Sequence, residues 1–162
     1  MRLRASISTL LIAVFLTGCS SASTQSSPKS VTTNGVTVSG AMNEAPVITF
    51  GPDAAPATEL VAKDIVVGTG AVVTPTSNVT AHYSGYGMNT MKKFDSSWDR
   101  GQPATFPISG VIAGWQQGLQ GMKVGGRRLL VIPGELAYGM SPPPGIESNE
   151  TLVFVVDLTA VS

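Results

Sequence analysis

The passage from Lys92 to Trp115 reads KKFDSSWDRGQPATFPISGVIAGW, and its reading decides the fold. It sets short alternating runs between turn signals, Trp98-Asp99-Arg100-Gly101 and Ser109-Gly110, and then enters a helical pattern at Ala113. Phe94, Asp95, Phe106, Val111, Ile112 and Trp115 fall inside it, whereas His, Cys and Glu do not. Tyr83 lies shortly before the passage and Tyr138 shortly after. A site built from these residues is an apolar aromatic pocket with one carboxylate and a few hydroxyls. Such a pocket binds and desolvates, but it lacks the groups for ordinary acid–base or metal chemistry.

Outward from this passage, strand patterns recur. Val47 to Phe50 is a short strand, and Leu60 to Val67 a second that stops at Gly68-Thr69-Gly70. Val79 to Tyr86 alternates through Val79, Ala81 and Tyr83. Lys93 to Ser96, Ala104 to Ile108, Arg127 to Ile132 and Thr151 to Leu158 complete the set. The last, TLVFVVDL, is apolar on both faces and belongs at the centre of a sheet. One helix is predicted over about Ala113 to Gln120, where Trp115 and Leu119 share a face and Gly121 is a suitable stop. The expected class is α+β, an antiparallel sheet wrapped around one short helix.

The chain of 162 residues holds one such domain plus a leader. At its start Arg2 and Arg4 precede an apolar run from Ile7 to Leu16, too short to span a bilayer and in keeping with a secretory signal over residues 1–18. The run ends in Leu16-Thr17-Gly18-Cys19, and Cys19 is the only cysteine of the chain. This tetrad resembles the lipobox of bacterial lipoproteins, which implies lipid attachment at Cys19 and a membrane-anchored protein on the extracytoplasmic face of the cell envelope. A plain signal peptide with an incidental cysteine is the alternative. Residues 19–45 are rich in Ser, Thr and Gly without an aromatic residue, which reads as a flexible tether. The folded domain is then expected over residues 46–162. Ten basic residues less Arg2 and Arg4, against ten acidic ones, leave the remainder slightly acidic, with nothing to favour nucleic acid as a partner.

AHYSGYG (Ala81–Gly87), KKFDSSWDRGQP (Lys92–Pro103), VIAGWQQGLQGMKVGGRRLLVIP (Val111–Pro133), AYG (Ala137–Gly139) and TLVFVVDL (Thr151–Leu158) together resemble the FKBP-type peptidyl-prolyl cis–trans isomerases. The resemblance runs from about Leu60 to Val161. It implies a reaction that rotates an X–Pro amide and needs no cofactor. It also implies that Trp115 floors the pocket, that Tyr83, Phe94, Val111, Ile112 and Phe154 wall it, and that Phe106 lies at its edge. Asp95 and the Tyr138 hydroxyl would supply polar contacts, and the Ile112 N–H would bond a substrate carbonyl. Read singly, Trp115, Phe106 and Phe154 equally suit a core, Asp95 a turn cap and Tyr138 a structural tyrosine. The implied partners are proline-containing exported polypeptides, with FKBP-directed macrolides as candidate ligands.

His82 alternates away from Tyr83 and is expected to face opposite to the pocket. With no second His or Cys near it, no metal site is expected. Gly125-Gly126 and Gly118 to Gly121 read as turns rather than phosphate loops. Three departures from the family pattern stand out: Ala104 where an aromatic is usual, Pro142-Pro143-Pro144 with Glu147-Ser148 in the loop after Tyr138, and no turn glycine before Lys92-Lys93. They leave open an FKBP-fold chaperone or docking module of weak activity, and an altered hairpin ahead of Lys92. A larger exported solute-binding protein fits less well, since a single small domain offers no second lobe.

Overall fold

The computed structural model describes residues 30–162. The predicted signal, Cys19 and the first part of the predicted tether lie outside the described residues. Nine strands and one α-helix follow: β1 (Val31–Thr33), β2 (Val36–Ser39), β3 (Val47–Phe50), β4 (Val61–Val66), β5 (Asn78–Gly87), β6 (Lys93–Ser96), β7 (Ala104–Pro107), α1 (Ala113–Gly118), β8 (Arg127–Ile132) and β9 (Leu152–Val161).

The main sheet is antiparallel and runs β4-β8-β9-β5-β6. One edge of β5 takes β9 along its length, and its other edge is shared by β7 at residues 78–81 and β6 at residues 84–86. β9 therefore sits in the middle of the order, and Leu152 to Leu158 are buried without a break. Its residues divide by parity, as a strand requires. Leu152, Phe154, Val156 and Leu158 face a cluster with Leu130, Ile132, Trp115 and Leu119, which seats α1 on β8. Val153 and Val155 turn the other way and join Leu129 and Val131. The helix is one turn and a half, too short to hold itself in water, so packing on the sheet is what keeps it formed. It ends at Gly118, short of the predicted Gln120, because Leu119 already serves as its C-cap.

The back of the main sheet is where sequence and structure part. Residues 31–39, read as tether, form a hairpin that joins β3 in a second, three-stranded sheet, β1-β2-β3. The folded unit thus includes β1 and β2 and does not start at Pro46. The turn is Asn34-Gly35, with φ of 52° and 71°. Positive φ at both central residues is the signature of the type I′ turn that suits a tight hairpin, and Asn-Gly is the sequence that adopts it most readily. Val36 and Val38 are completely buried against the back-face cluster, with Ile48 and Phe50 packed beside them. A composition rich in Ser and Thr conceals this, because only alternate residues of β2 face inward.

Arg127 fastens the two sheets. Its guanidinium makes a two-pronged ion pair with Asp157 (2.5 and 2.6 Å), and both side chains are almost fully buried. Its remaining donors reach the carbonyls of Gly40 (3.2 Å) and Glu44 (2.7 Å), in the connection between β2 and β3. A buried charge is tolerated only when its hydrogen bonds are satisfied, and here the N-terminal connection supplies two of them.

Candidate functional site

On the α1 side of the main sheet the structure has a cavity of about 300 Å³. Its lining includes all nine of the residues singled out from the sequence, Tyr83, Phe94, Asp95, Phe106, Val111, Ile112, Trp115, Tyr138 and Phe154, together with Gly110. They come from β5, β6, β7, β9, α1 and the connections flanking α1 and β8, so no local segment makes the site. Ala104 is not among them and packs instead into the adjoining core.

Trp115 stands at the centre of the aromatic packing. The rings of Tyr83, Phe106 and Phe154 meet it edge-on, with centroids at 5.5, 5.8 and 5.3 Å and interplanar angles above 80°. Such T-shaped contacts favour a single arrangement over a sliding stack. Phe94 meets Phe154 in the same manner at 5.6 Å. Gly85 makes this possible, since a Cβ there would stand 2.8 Å from both Phe94 and Phe154. The outcome is a closely packed aromatic box.

The polar side of the box is a closed triangle. The Tyr83 hydroxyl donates to Asp95 (2.5 Å), Arg100 donates to the other Asp95 oxygen (2.5 Å), and Arg100 also donates to the Tyr83 oxygen (2.7 Å). Burial works against the charge on Asp95, but the bonds from Tyr83 and Arg100 outweigh it and hold its carboxyl below the usual range. Burial also pushes the Tyr83 phenol up, reinforced by its bond to Asp95. Tyr138 is raised too, by burial first and then by the charge on Asp95. At neutral pH the site therefore holds a carboxylate with both oxygens engaged and two neutral phenols. None of these is poised to exchange a proton.

Arg100 was not among the residues picked from the sequence. It stands five positions after Asp95, across a turn in which the N–H groups of Arg100 and Gly101 bond the carbonyls of Ser97 and Trp98. An Asp followed five positions later by an Arg just before a turn glycine is a signal, though a weak one, for a pair across that turn.

The backbone around the site accounts for two of the departures. Met91 takes the left-handed conformation (φ 53°) where a turn glycine was missed, and the Gly87 N–H closes the hairpin onto the Lys92 carbonyl. The loop after Tyr138 is tied down at its far end by Glu150. That buried carboxylate accepts from the Thr90 N–H and hydroxyl and from the Glu147 N–H, which joins the loop to the β5–β6 hairpin. The Ile112 N–H makes no backbone hydrogen bond among the described residues. His82 lies away from the cavity lining, stacked on Trp98 at 3.9 Å.

Comparison with known proteins agrees with this geometry. Residues 70–159 match the family described as FKBP-type peptidyl-prolyl cis-trans isomerase. A probable FK506-binding protein of Corynebacterium glutamicum is 54% identical over 100 residues, covering 62% of this chain and 85% of that protein. An FK506-binding protein of Streptomyces anulatus is 48% identical over 122 residues, covering 73% of this chain and 98% of that one. Among solved structures, the crystal structure of FkpA from Escherichia coli superposes with a TM-score of 0.61 at 44% identity, covering 65% of this chain and 49% of the FkpA chain. The chain thus spans about half of that larger protein, and β1 to β4 precede the residues that match the family.

Proposed function

The chain belongs to the FKBP-type peptidyl-prolyl cis-trans isomerase family, and on that premise we propose that it turns X–Pro bonds of exported polypeptides at the outer face of a bacterial membrane. The observation that carries the reading of the site is the aromatic box closed on one side by the Tyr83–Asp95–Arg100 triangle.

Rotation about an X–Pro amide faces a barrier of roughly 18–20 kcal/mol, set by resonance between nitrogen and carbonyl. The twisted amide has lost that resonance and is less dipolar than either planar form. A dry aromatic box therefore favours it over the planar states, which is the differential binding that catalysis requires. Trp115, with Phe94, Phe106, Val111 and Phe154, grips the proline ring. The Ile112 N–H holds the carbonyl on the far side of the bond. Tyr138 and the Asp95 edge steady the carbonyl that swings. No proton moves and no covalent bond forms, so a site with no free acid or base is sufficient.

Two features support the location. The apolar run and the Leu16-Thr17-Gly18-Cys19 tetrad suit export and lipid attachment at Cys19. Folding outside the cytoplasm also leaves prolyl isomerisation as a slow step that such an enzyme would speed. FKBP-directed macrolides would compete for the same box.

The test has two arms. Isomerisation of an Xaa-Pro tetrapeptide is measured with the full chain, with Asp95→Ala and with Tyr138→Phe. A rate at the uncatalysed level in the wild type removes the activity, and wild-type turnover in both variants removes the polar roles. Separately, mass spectrometry of the protein from bacterial membranes reads Cys19. An unmodified thiol, or Cys19→Ser remaining with the membrane, refutes the anchor.

A further inference from the structure

The connection from β8 to β9, residues 133–151, brings Tyr138 to the pocket and nears its end at Glu150, a carboxylate that the isomerase chemistry leaves unused. Glu150 is 2% exposed and makes no ion pair among the described residues. Three donors converge on it instead. Its Oε1 accepts from the Thr90 N–H at 3.1 Å and the Thr90 hydroxyl at 3.0 Å, and its Oε2 accepts from the Glu147 N–H at 2.9 Å. We propose that Glu150 is a positioning residue of the isomerase. It locks the Tyr138 connection to the β5–β6 turn, and so sets where the Tyr138 hydroxyl stands against the wall made by Phe94 and Asp95.

Donor and acceptor chemistry selects a carboxylate here. An ionised carboxyl group accepts on both oxygens, whereas a side-chain amide has one acceptor oxygen and two N–H donors. Donors face Glu150 from both sides, so a glutamine would turn its NH2 against either the Thr90 N–H or the Glu147 N–H. Neither of these two N–H groups has another acceptor among the described residues. An N–H drawn out of water without a partner is costly, so both segments stay in place only while both oxygens accept. The hairpin is shaped to receive the group, since a Cβ on Gly87 would overlap the Glu150 carboxylate and the Thr90 hydroxyl.

Other bonds fix Tyr138 only within its own connection. The Ala137 and Gly139 N–H groups both reach the Gly134 carbonyl, at 3.0 and 2.9 Å. Across the neck of the loop the Asn149 N–H donates to the Gly139 carbonyl at 2.7 Å, which joins the residue after Tyr138 to the residue before Glu150. The β5–β9 ladder ends with the Met88 N–H on the Thr151 carbonyl. Beyond it, the bonds from Thr90 to Glu150 are the only hydrogen bonds between residues 134–150 and the turn at 88–92 among the described residues. From that turn β6 runs directly into Phe94 and Asp95. The Asp95 carboxylate is itself taken up by Tyr83 and Arg100, so it supplies no tie to Tyr138.

This rests on the reading that Tyr138 contacts the rotating amide, and the experiment separates the two. Cis–trans exchange of an Xaa-Pro peptide is measured with the full chain, at a temperature where every variant is folded. Amide hydrogen exchange at Thr90 and Glu147 is read by NMR on the same samples. Glu150→Gln should speed exchange at one or both of these amides and lower kcat/KM about two- to tenfold, the factor that one net hydrogen bond is worth. Tyr138→Phe should cost a similar factor. Adding Glu150→Gln to it should cost less than about a further twofold, because the hydroxyl being placed is gone. Thr90→Val should lower kcat/KM in the same direction, and Thr90→Ser should restore it. Wild-type kcat/KM in Glu150→Gln overturns the proposal. So does a full second loss in the double variant, which is what a role in folding alone would give. Absence of catalysis in the wild type refutes the isomerase reading itself, and the positioning role with it.

Discussion

Replacing Val36 and Val38 with alanine tests whether the N-terminal sheet belongs to the folding unit. Both side chains are completely buried, between the β1–β3 sheet and the back face made by Leu129, Val131, Val153 and Val155. Each substitution removes two carbon groups, about 1.5 kcal/mol of transfer free energy. The void left behind adds to this, because the two flanking sheets collapse only in part, so each change should cost about 2–3 kcal/mol. The residues are two apart on one face, so their effects couple, and the double variant is expected to lose about 3–5 kcal/mol. That is a large share of the roughly 5–15 kcal/mol by which domains are stable. Denaturant unfolding of the full chain, followed by tryptophan fluorescence, gives the change directly. The pocket lies on the other face of the sheet, so peptide isomerisation at low temperature should match the wild type while the protein is folded. A loss below about 1 kcal/mol for the double variant would refute the reasoning, since a chain merely draped on the surface forfeits little when truncated.

Three further outcomes follow from the same geometry. Arg127→Met should destabilise by about 3–5 kcal/mol, because it leaves Asp157 buried and unpaired, and Arg127→Met with Asp157→Leu should recover much of that in thermal melts. Met91→Gly should raise stability by about 0.5–1 kcal/mol, since glycine accepts the left-handed conformation that methionine adopts under strain, less its greater entropy when unfolded. Asp95 has its carboxyl held low in the folded state, so its ionic contacts add stability above the ordinary carboxylate range and lose it as pH falls through the folded value. The stability difference between wild type and Asp95→Asn, measured by denaturation against pH, should thus be present at pH 6 and shrink as pH falls below the ordinary carboxylate range. A difference that stays constant with pH would show that the Asp95 charge contributes nothing.

Much of the fold could be read along the chain because it is written locally. Alternation in Val79 to Tyr86 follows from the two-residue period of a strand, Arg127 to Ile132 ends in an unbroken apolar run, and the structure places strands on both. The pocket lining was legible in the same way, through runs such as KKFDSS and VIAGW that belong to a recognisable ordered set. The hairpin at Asn34-Gly35 was also in view, since Val-Thr-Thr and Val-Thr-Val-Ser flank a strong turn pair. Its serine- and threonine-rich composition outweighed the alternation. Half of a covered strand faces water and is free to be polar, which is why composition misleads there.

What the sequence determined by itself is the identity of the reactive surface: an aromatic box with one carboxylate and no free acid or base. It also showed that TLVFVVDL is apolar on both faces, and so that both sides of the sheet must be covered. Only the tertiary structure decided what covers the second side, which charges pair, and which of them lie inside. Arg127 and Arg128 are neighbours with the same chemistry, yet one is sealed against Asp157 while the other pairs with Asp64 near the surface. Arg100 meets Tyr83 from 17 residues away, and Arg127 meets Gly40 from 87. Backbone preference and periodicity act over a few residues, whereas a charge buried without a partner is penalised wherever in the chain that partner lies. Which partner it finds is therefore settled by packing, after the strands already exist.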